Sequence, residues 1–155
     1  MEYFVFNQVK EGNCIMYDIK QSSKDEEDLV WSGIIEYNSS KFPLKSEIPF
    51  TSINRVMSDS NGEVIGGINC ELNYYWNTLY INMLWIKDKY RKSGYGSKLL
   101  NEVEIITKEQ GCHLAHLETM DFQAKDFYSK NGYEVFGELD NVPLGHKRYY
   151  MKKIL

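Results

Sequence analysis

At 155 residues and 18.2 kDa the chain has the length of one domain and can bury a sizeable core. Hydrophobic residues at 43% and charged residues at 26% are ordinary globular values and exclude disordered and fibrous classes. A net charge of -4 and a pI of about 5.4 argue against a nucleic-acid partner: the basic cluster Lys87, Lys89, Arg91, Lys92 is too short to track a phosphate backbone, though well sized for one small polyanion.

The 12 tyrosines supply most of a 14% aromatic share, and such rings suit a lined pocket as well as a core edge. Cys14, Cys70 and Cys112 lack metal-ligand spacing and cannot all pair with one another, so reduced thiols and a cytoplasmic setting are expected. The opening MEYFVFNQVK has no basic n-region, so no signal peptide is expected. No apolar run approaches the ~20 residues that cross a bilayer, so no membrane is expected. No repeat or linker interrupts the chain, and residues 1–155 read as a single domain.

In chain order, YFVFNQV and CIMYDIK read as short strands around a turn at Glu11-Gly12-Asn13. Ser23 and Glu26 fit a capping box, and the helix they open carries Val30, Trp31, Ile34, Ile35 and Tyr37 at near-helical spacing, ending around Asn38-Ser39-Ser40. Pro43 and Pro49 make FPLKSEIPF an irregular loop. INRVMSD, EVIGGINCELNYYW and LYINMLWIK then read as an antiparallel meander, turning at Ser60-Asn61-Gly62 and Trp76-Asn77-Thr78. After YRKSGYGS a helix places Leu99, Leu100, Val103 and Ile106 on one face and stops at Gly111. CHLAHLET is a strand, DFQAKDFYSKNG a helix, and YEVFGEL and HKRYYMKKI are strands joined by DNVPLG. The fold class is α/β in the sense of a mixed α+β sheet, mostly antiparallel and flanked by helices.

YRKSGYGS joins an apolar strand to an amphipathic helix. A helix start leaves backbone N–H groups unpaired and carries partial positive charge, so it accepts an anion where side chains stay clear. Gly94 and Gly96 lack a Cβ, and Arg91 and Lys92 add charge, which suits a phosphate. The plainer reading is a tight turn under solvated cations. Walker-type and full G-x-G-x-x-G patterns are absent, the third position of the latter falling on Leu99.

Arg91-x-x-Gly94-x-Gly96 resembles the R/Q-x-x-G-x-G/A signature of the GNAT family of N-acetyltransferases, between a strand and its following helix as in that family. Ala124, Phe127, Tyr128, Lys130, Gly132 and Tyr133 are similar to its A-x-x-[LF]-Y-x-K-x-G-[FY] segment, and the likeness runs from about Val64 to the end of the sequence. The resemblance implies acetyl-CoA as co-substrate, its pyrophosphate on the N–H groups of Lys92, Ser93, Gly94, Tyr95, Gly96 and Ser97, beside Arg91 and Phe127. It implies that the strand bearing Leu84, Trp85 and Ile86 splays from a parallel neighbour, His113 to Thr119, and offers its backbone to the pantetheine amides. A buried strand is what those three residues would also form without a ligand.

The resemblance further makes Tyr128 the general acid for the departing thiolate, although a core tyrosine would read the same way. Many family members place a carboxylate in the middle of the strand before the loop, where this chain has Asn82; Glu118 is the candidate base instead, with Glu71 behind it. Asp121 stands where the family often has Asn. Tyr37, Tyr75, Trp76, Asp140 and His146 are candidates for the acceptor pocket, since acids and aromatic faces attract a cationic amine. His113, His116 and His146 lack metal-ligand spacing, and no metal is expected. The expected activity is direct acetyl transfer to a primary amine of a small molecule or peptide, the alternative being a non-catalytic acyl-CoA-binding regulatory module on the same fold. Exposed strand edges and abundant tyrosine are compatible with a homodimer.

Overall fold

The computed structural model describes residues 18–43 and 49–155. The chain falls into two units, Met1–Pro43 and Leu44–Leu155. The strand expected over YFVFNQV and its following turn lie outside the described residues. Of CIMYDIK only residues 18–20 are described, and they form no strand.

In the first unit α1 spans Lys24–Lys41. The capping box closes as its spacing requires: Ser23 Oγ accepts from the Glu26 N–H (3.4 Å) and Glu26 Oε2 accepts from the Ser23 N–H (2.8 Å). Asp25, Glu26 and Glu27 complement the positive end of the helix. α1 runs through the expected stop at Asn38-Ser39-Ser40 to Lys41. There the Ser40 hydroxyl donates to the Tyr37 carbonyl (2.7 Å), so its polar group is accommodated without breaking the helix.

The second unit holds β1 (Phe50–Ser58), β2 (Val64–Asn73), β3 (Thr78–Ile86), α2 (Tyr95–Glu109), β4 (Leu114–Met120), α3 (Lys125–Lys130), β5 (Glu134–Asp140) and β6 (Lys147–Ile154). A single 3-10 turn, Asp88–Tyr90, precedes α2. The sheet order is β1-β2-β3-β4-β6-β5, antiparallel throughout except for the pair β3–β4. This is the mixed sheet that the element order implied, and its one parallel pair is the pair implied by the family resemblance. Its first turn is shaped by Asp59, whose Oδ1 accepts from the N–H groups of Asn61 (2.9 Å) and Glu63 (3.1 Å).

One face of the sheet packs on α2. Ile68, Cys70 and Leu72 of β2, Leu79 and Ile81 of β3, Ala115 and Leu117 of β4 and Met151 of β6 meet Leu99, Leu100 and Val103 of α2 in one buried cluster. Alternation along each strand sends the intervening side chains to the other face. There Tyr80 stacks against His116, with ring centroids 5.0 Å apart, and Glu118 lies opposite Tyr150 in the ladder.

α3 is shorter than the expected helix over DFQAKDFYSKNG. Residues Asp121 to Ala124 form a turn instead, in which Gln123 Oε1 accepts from the Met120 N–H (2.9 Å) and Thr119 Oγ1 accepts from the Ala124 N–H (3.3 Å). Thr119 Oγ1 thus takes the Ala124 N–H, the first donor that a helix begun at Asp121 would have used.

Candidate functional site

β3 and β4 pair only through Thr78↔Leu114, Leu79↔Ala115 and Tyr80↔His116. Beyond these the strands part, leaving the Ile81–Ile86 edge of β3 and the Leu117–Met120 edge of β4 without a partner in each other. A bulge lies at the parting. The β2–β3 register shifts between Asn69 and Cys70, with Asn69 opposite Met83 and Cys70 opposite Ile81, so Asn82 is the extra residue. Burial on β3 changes phase there: Leu79 and Ile81 face the core before the bulge, Leu84 and Ile86 after it, and Asn82 and Met83 are exposed in succession. The Cys70 N–H finds its acceptor in the Asn54 side-chain oxygen of β1 (3.2 Å).

The gap is part of a cleft of about 750 Å³, within the usual size of a small-ligand site. The core face contributes Ile81, Leu84, Ile86, Thr119 and Tyr128, and the opposite face contributes Met83, Trp85 and Glu118. Met83 (67% exposed) and Trp85 (50%) also border a shallow hollow on that opposite face, with Val56, Val64 and Gly67.

At the outer end lies the loop Arg91–Ser97. Lys92 (φ 63°) and Gly94 (φ 80°) are both left-handed, a conformation that glycine adopts without penalty and lysine does not. α2 therefore begins at Tyr95, inside YRKSGYGS rather than after it. Its first intrahelical bond is the Lys98 N–H to the Gly94 carbonyl (3.1 Å), so the N–H groups of Tyr95, Gly96 and Ser97 have no acceptor within the helix. A Cβ on Gly96 would sit 3.2 Å from the Phe127 ring and 3.5 Å from Leu84 Cδ2; glycine lets the helix start press against α3 and β3. Arg91 is anchored by Nε to the Ile86 carbonyl (3.0 Å) and pairs with the exposed Asp88 (2.8 Å). Tyr90 donates to Asp59 (3.1 Å), tying the 3-10 turn to the β1–β2 turn. This lattice of backbone donors, cations and a missing Cβ is suited to a phosphate, so the residues present fit the pyrophosphate of a CoA-type molecule.

Tyr128 of α3 closes the inner wall. Its ring lies between those of Phe127 (5.1 Å) and Tyr133 (5.7 Å), and burial, with Cys70 close by, pushes its hydroxyl up to about 12. The proton is thus held firmly at neutral pH. Glu118, across the gap, is bound by Arg148 (3.0 Å), whose Nε is buried and without a hydrogen-bond partner. Burial and the neighbouring Glu118 raise Tyr80, while burial lowers His116 and favours its neutral form.

The cleft therefore brings together Leu84, Trp85, Ile86, Arg91, Lys92, Gly94, Tyr95, Gly96, Ser97, Glu118, Phe127 and Tyr128. Ser93 is exposed on the loop but does not line it. Tyr75 and Trp76 do not line it either: they sit in the β2–β3 turn, at the end of β3 away from the loop, and Tyr75 is a core residue at 4% exposure. Glu71 points out beside Tyr80 in the ladder and is likewise outside the lining. Tyr37 belongs to the first unit, on the exposed side of α1. His146 stands beside the cleft: its Nδ1 is 3.0 Å from Asp121 Oδ1, and its ring meets edge-on that of Phe122, a lining residue. Asp121 also accepts from the Lys147 N–H (3.2 Å) and is engaged with β6 rather than turned to the cleft. Asp140 is paired with Lys147 (3.0 Å). Sequence reasoning missed Thr119, near the end of β4, and Phe122 and Gln123, which the turn after β4 delivers to the cleft; the shortened helix beyond that turn leaves no periodic signal for them. Among the described residues no group of three or more His, Cys, Asp or Glu could hold a metal ion, and no helix is long and apolar enough to cross a membrane.

The family model described as Acetyltransferase (GNAT) domain matches residues 54–135, more than half of the chain. Blasticidin-S acetyltransferase of Streptomyces morookaense is 33% identical over 95 residues, which cover 61% of this chain and 68% of that protein. The crystal structure of an acetyltransferase from Bacillus cereus ATCC 14579 superposes with a TM-score of 0.80 at 33% identity, covering 90% of this chain and 98% of that one. At 20% identity and a TM-score of 0.60, over 84% of this chain and 87% of that one, the likeness to an aminoglycoside 6'-N-acetyltransferase complexed with coenzyme A concerns the fold. The splayed strands and the glycine-opened helix are thus found in a chain that, by sequence and by fold, belongs to the GNAT family of acetyltransferases.

Proposed function

We propose that the protein transfers the acetyl group of acetyl-CoA directly to a primary amine of a small molecule or peptide. One observation carries this reading: an unpaired strand edge, Ile81–Ile86, leads along a single cleft to a helix start whose N–H groups and cations suit a pyrophosphate. Acetyl-CoA supplies the activated thioester, so the protein has chiefly to position, and holding reactants in line is worth ~7–11 kcal/mol.

The N–H groups of Tyr95, Gly96 and Ser97 bind the pyrophosphate, with Lys92 and Arg91 adding charge. The backbone groups of Leu84, Trp85 and Ile86 that face the gap, apart from the Ile86 carbonyl held by Arg91, hydrogen-bond the pantetheine amides and keep the arm extended. Glu118, fixed by Arg148, takes a proton from the ammonium form of the acceptor. The amine nitrogen then bonds to the carbonyl carbon, the carbon–sulfur bond breaks as the Tyr128 hydroxyl gives its proton to the departing sulfur, and the proton that the nitrogen sheds in becoming an amide passes through solvent to restore the Tyr128 hydroxyl. The exposed aromatic and apolar surface of Trp85 and Met83 beside Glu118 suits an acceptor with a cationic amine on a flat apolar body. His146, oriented by Asp121, borders the same opening through Phe122. The likeness to blasticidin-S acetyltransferase supports a basic antibiotic as the first acceptor to try.

The test is isothermal titration with acetyl-CoA, followed by a thiol-release assay across amines that include blasticidin S, an aminoglycoside and a short peptide. Binding with turnover of at least one amine is expected. No binding ends the reading, and tight binding without turnover of any amine favours an acyl-CoA-binding module, a reading that the absence of an acid at Asn82 alone recommends.

A further inference from the structure

Behind the cleft lies a polar group that the transfer itself does not use. Glu104 of α2 is only 7% exposed, yet it is charged in character and fully engaged. Its Oε1 accepts from the Tyr133 hydroxyl (2.8 Å), and its Oε2 accepts from Lys153 Nζ of β6 (2.6 Å). A buried carboxylate is costly unless its oxygens are met in this way, and replacing such a group by apolar side chains is often neutral or better for stability. Its presence therefore calls for a reason other than stability.

The partner of Glu104 points to that reason. Tyr133 is joined to Tyr128 twice: its N–H donates to the Tyr128 carbonyl (3.0 Å), and its ring meets the Tyr128 ring edge-on at 5.7 Å. The Asn131 N–H donates to the same carbonyl (3.0 Å). α3 has only six residues and cannot hold Tyr128 firmly by its own ladder. Its outer end is instead tied, through Tyr133 and Glu104, to α2, the helix whose first turn makes the phosphate site. We infer that the Glu104–Tyr133 hydrogen bond is a positioning device that fixes the Tyr128 hydroxyl relative to the start of α2. Lys153 satisfies the second oxygen of Glu104 and so keeps the carboxylate aimed at Tyr133. Hydroxyl and phosphate site are then held by one rigid element, and the reach between them is set by α2 itself.

This rests on the reading of Tyr128 as proton donor, and the experiment separates the two. Tyr133→Phe keeps the ring, the backbone bond and the Glu104–Lys153 pair, and removes only the hydroxyl. With the amine turned over fastest in the panel, Tyr133→Phe is expected to lower kcat about tenfold while KM for acetyl-CoA stays within about twofold. In a Tyr128→Phe background the same substitution lowers kcat no further, because the group being positioned is gone. Glu104→Gln, which retains an oxygen for the Tyr133 hydroxyl, keeps most of kcat even where its melting temperature falls; Glu104→Leu, lacking that oxygen, matches Tyr133→Phe. An equal loss from Tyr133→Phe in both backgrounds, or a kcat loss that simply follows melting temperature across the variants, overturns the inference. A normal kcat for Tyr133→Phe alongside a slow Tyr128→Phe overturns it and leaves the proton donor standing. A normal kcat for Tyr128→Phe overturns both.

Discussion

In its proposed role as proton donor, Tyr128 combines two requirements that usually conflict: a donor must be held rigidly, and it must still reach solvent-accessible substrate. Burial among Phe127 and Tyr133 meets the first, and its place on the cleft wall meets the second. Tyr128→Phe removes the proton but keeps the ring, so kcat is expected to fall by roughly 100-fold with little change in acetyl-CoA affinity. The pH profile adds a sharper expectation. Burial raises the hydroxyl to about 12, so the donor stays protonated as pH rises from neutrality through the ordinary tyrosine value of 10.0. No fall in kcat near pH 10 should therefore be attributable to Tyr128; a limb there that vanishes in Tyr128→Phe would count against this. Glu118 is proposed to act on the acceptor rather than the cofactor, so Glu118→Gln should lower kcat/KM for the amine while titration with acetyl-CoA is unchanged. The motif that singled out Tyr128 was legible in the sequence because it is local. The Glu104–Tyr133 bond behind it was not, since that bond depends on how α2, the turn after α3 and β6 come together in space.

The elements that make the cleft differ in how plainly their sequences announce them. The apolar stripe of α2 and the Ser23–Glu26 box are decided within a turn or two of helix, and both form as their spacing required. The bulge at Asn69/Cys70 is a property of two strands in register, and neither strand shows it alone. That bulge lies where the sheet opens, and beside it the Cys70 N–H donates to the Asn54 side chain of β1. Asn54→Ala should cost ~1–3 kcal/mol, the usual penalty of stranding a buried backbone donor, and should speed hydrogen exchange at Cys70. At the start of α2, Gly96→Val puts branched carbon where even a Cβ lies 3.2 Å from Phe127. The helix start must then move off α3 and β3, and acetyl-CoA binding by titration should be lost while the fold, followed by circular dichroism, persists. Gly94→Ala meets no neighbour but forces alanine to φ 80°, a destabilisation of ~1–2 kcal/mol that thermal melting would register.

Across the whole second unit, the core binds its protons more tightly than an unfolded chain would. Cys70 is raised by burial from 9.0 to about 12 and Tyr128 from 10.0 to about 12, and Tyr133 is raised further by burial and by Glu104. Each folded value exceeds its unfolded one, so the stabilisation is complete below about pH 9 and is lost as pH rises toward 12. Melting temperature should be flat in this respect near neutrality and decline from about pH 9 upward, and Cys70→Ala should make the onset of that decline later. At this scale the order of elements and the mixed sheet followed from periodicity and turn residues, whereas Tyr75 and Trp76, expected on the acceptor side, lie outside the cleft. Aromatic residues in a turn look available in a sequence, but which end of a strand a ligand approaches depends on where the strands part.

That parting has a consequence for turnover. A slit bordered by residues from both faces of a sheet has two mouths, and what enters by one need not leave before the other is used. Both reactants can then be resident at once, so double-reciprocal plots at several fixed acetyl-CoA concentrations should intersect, and a parallel family of lines would show that the two halves of the reaction are separated in time.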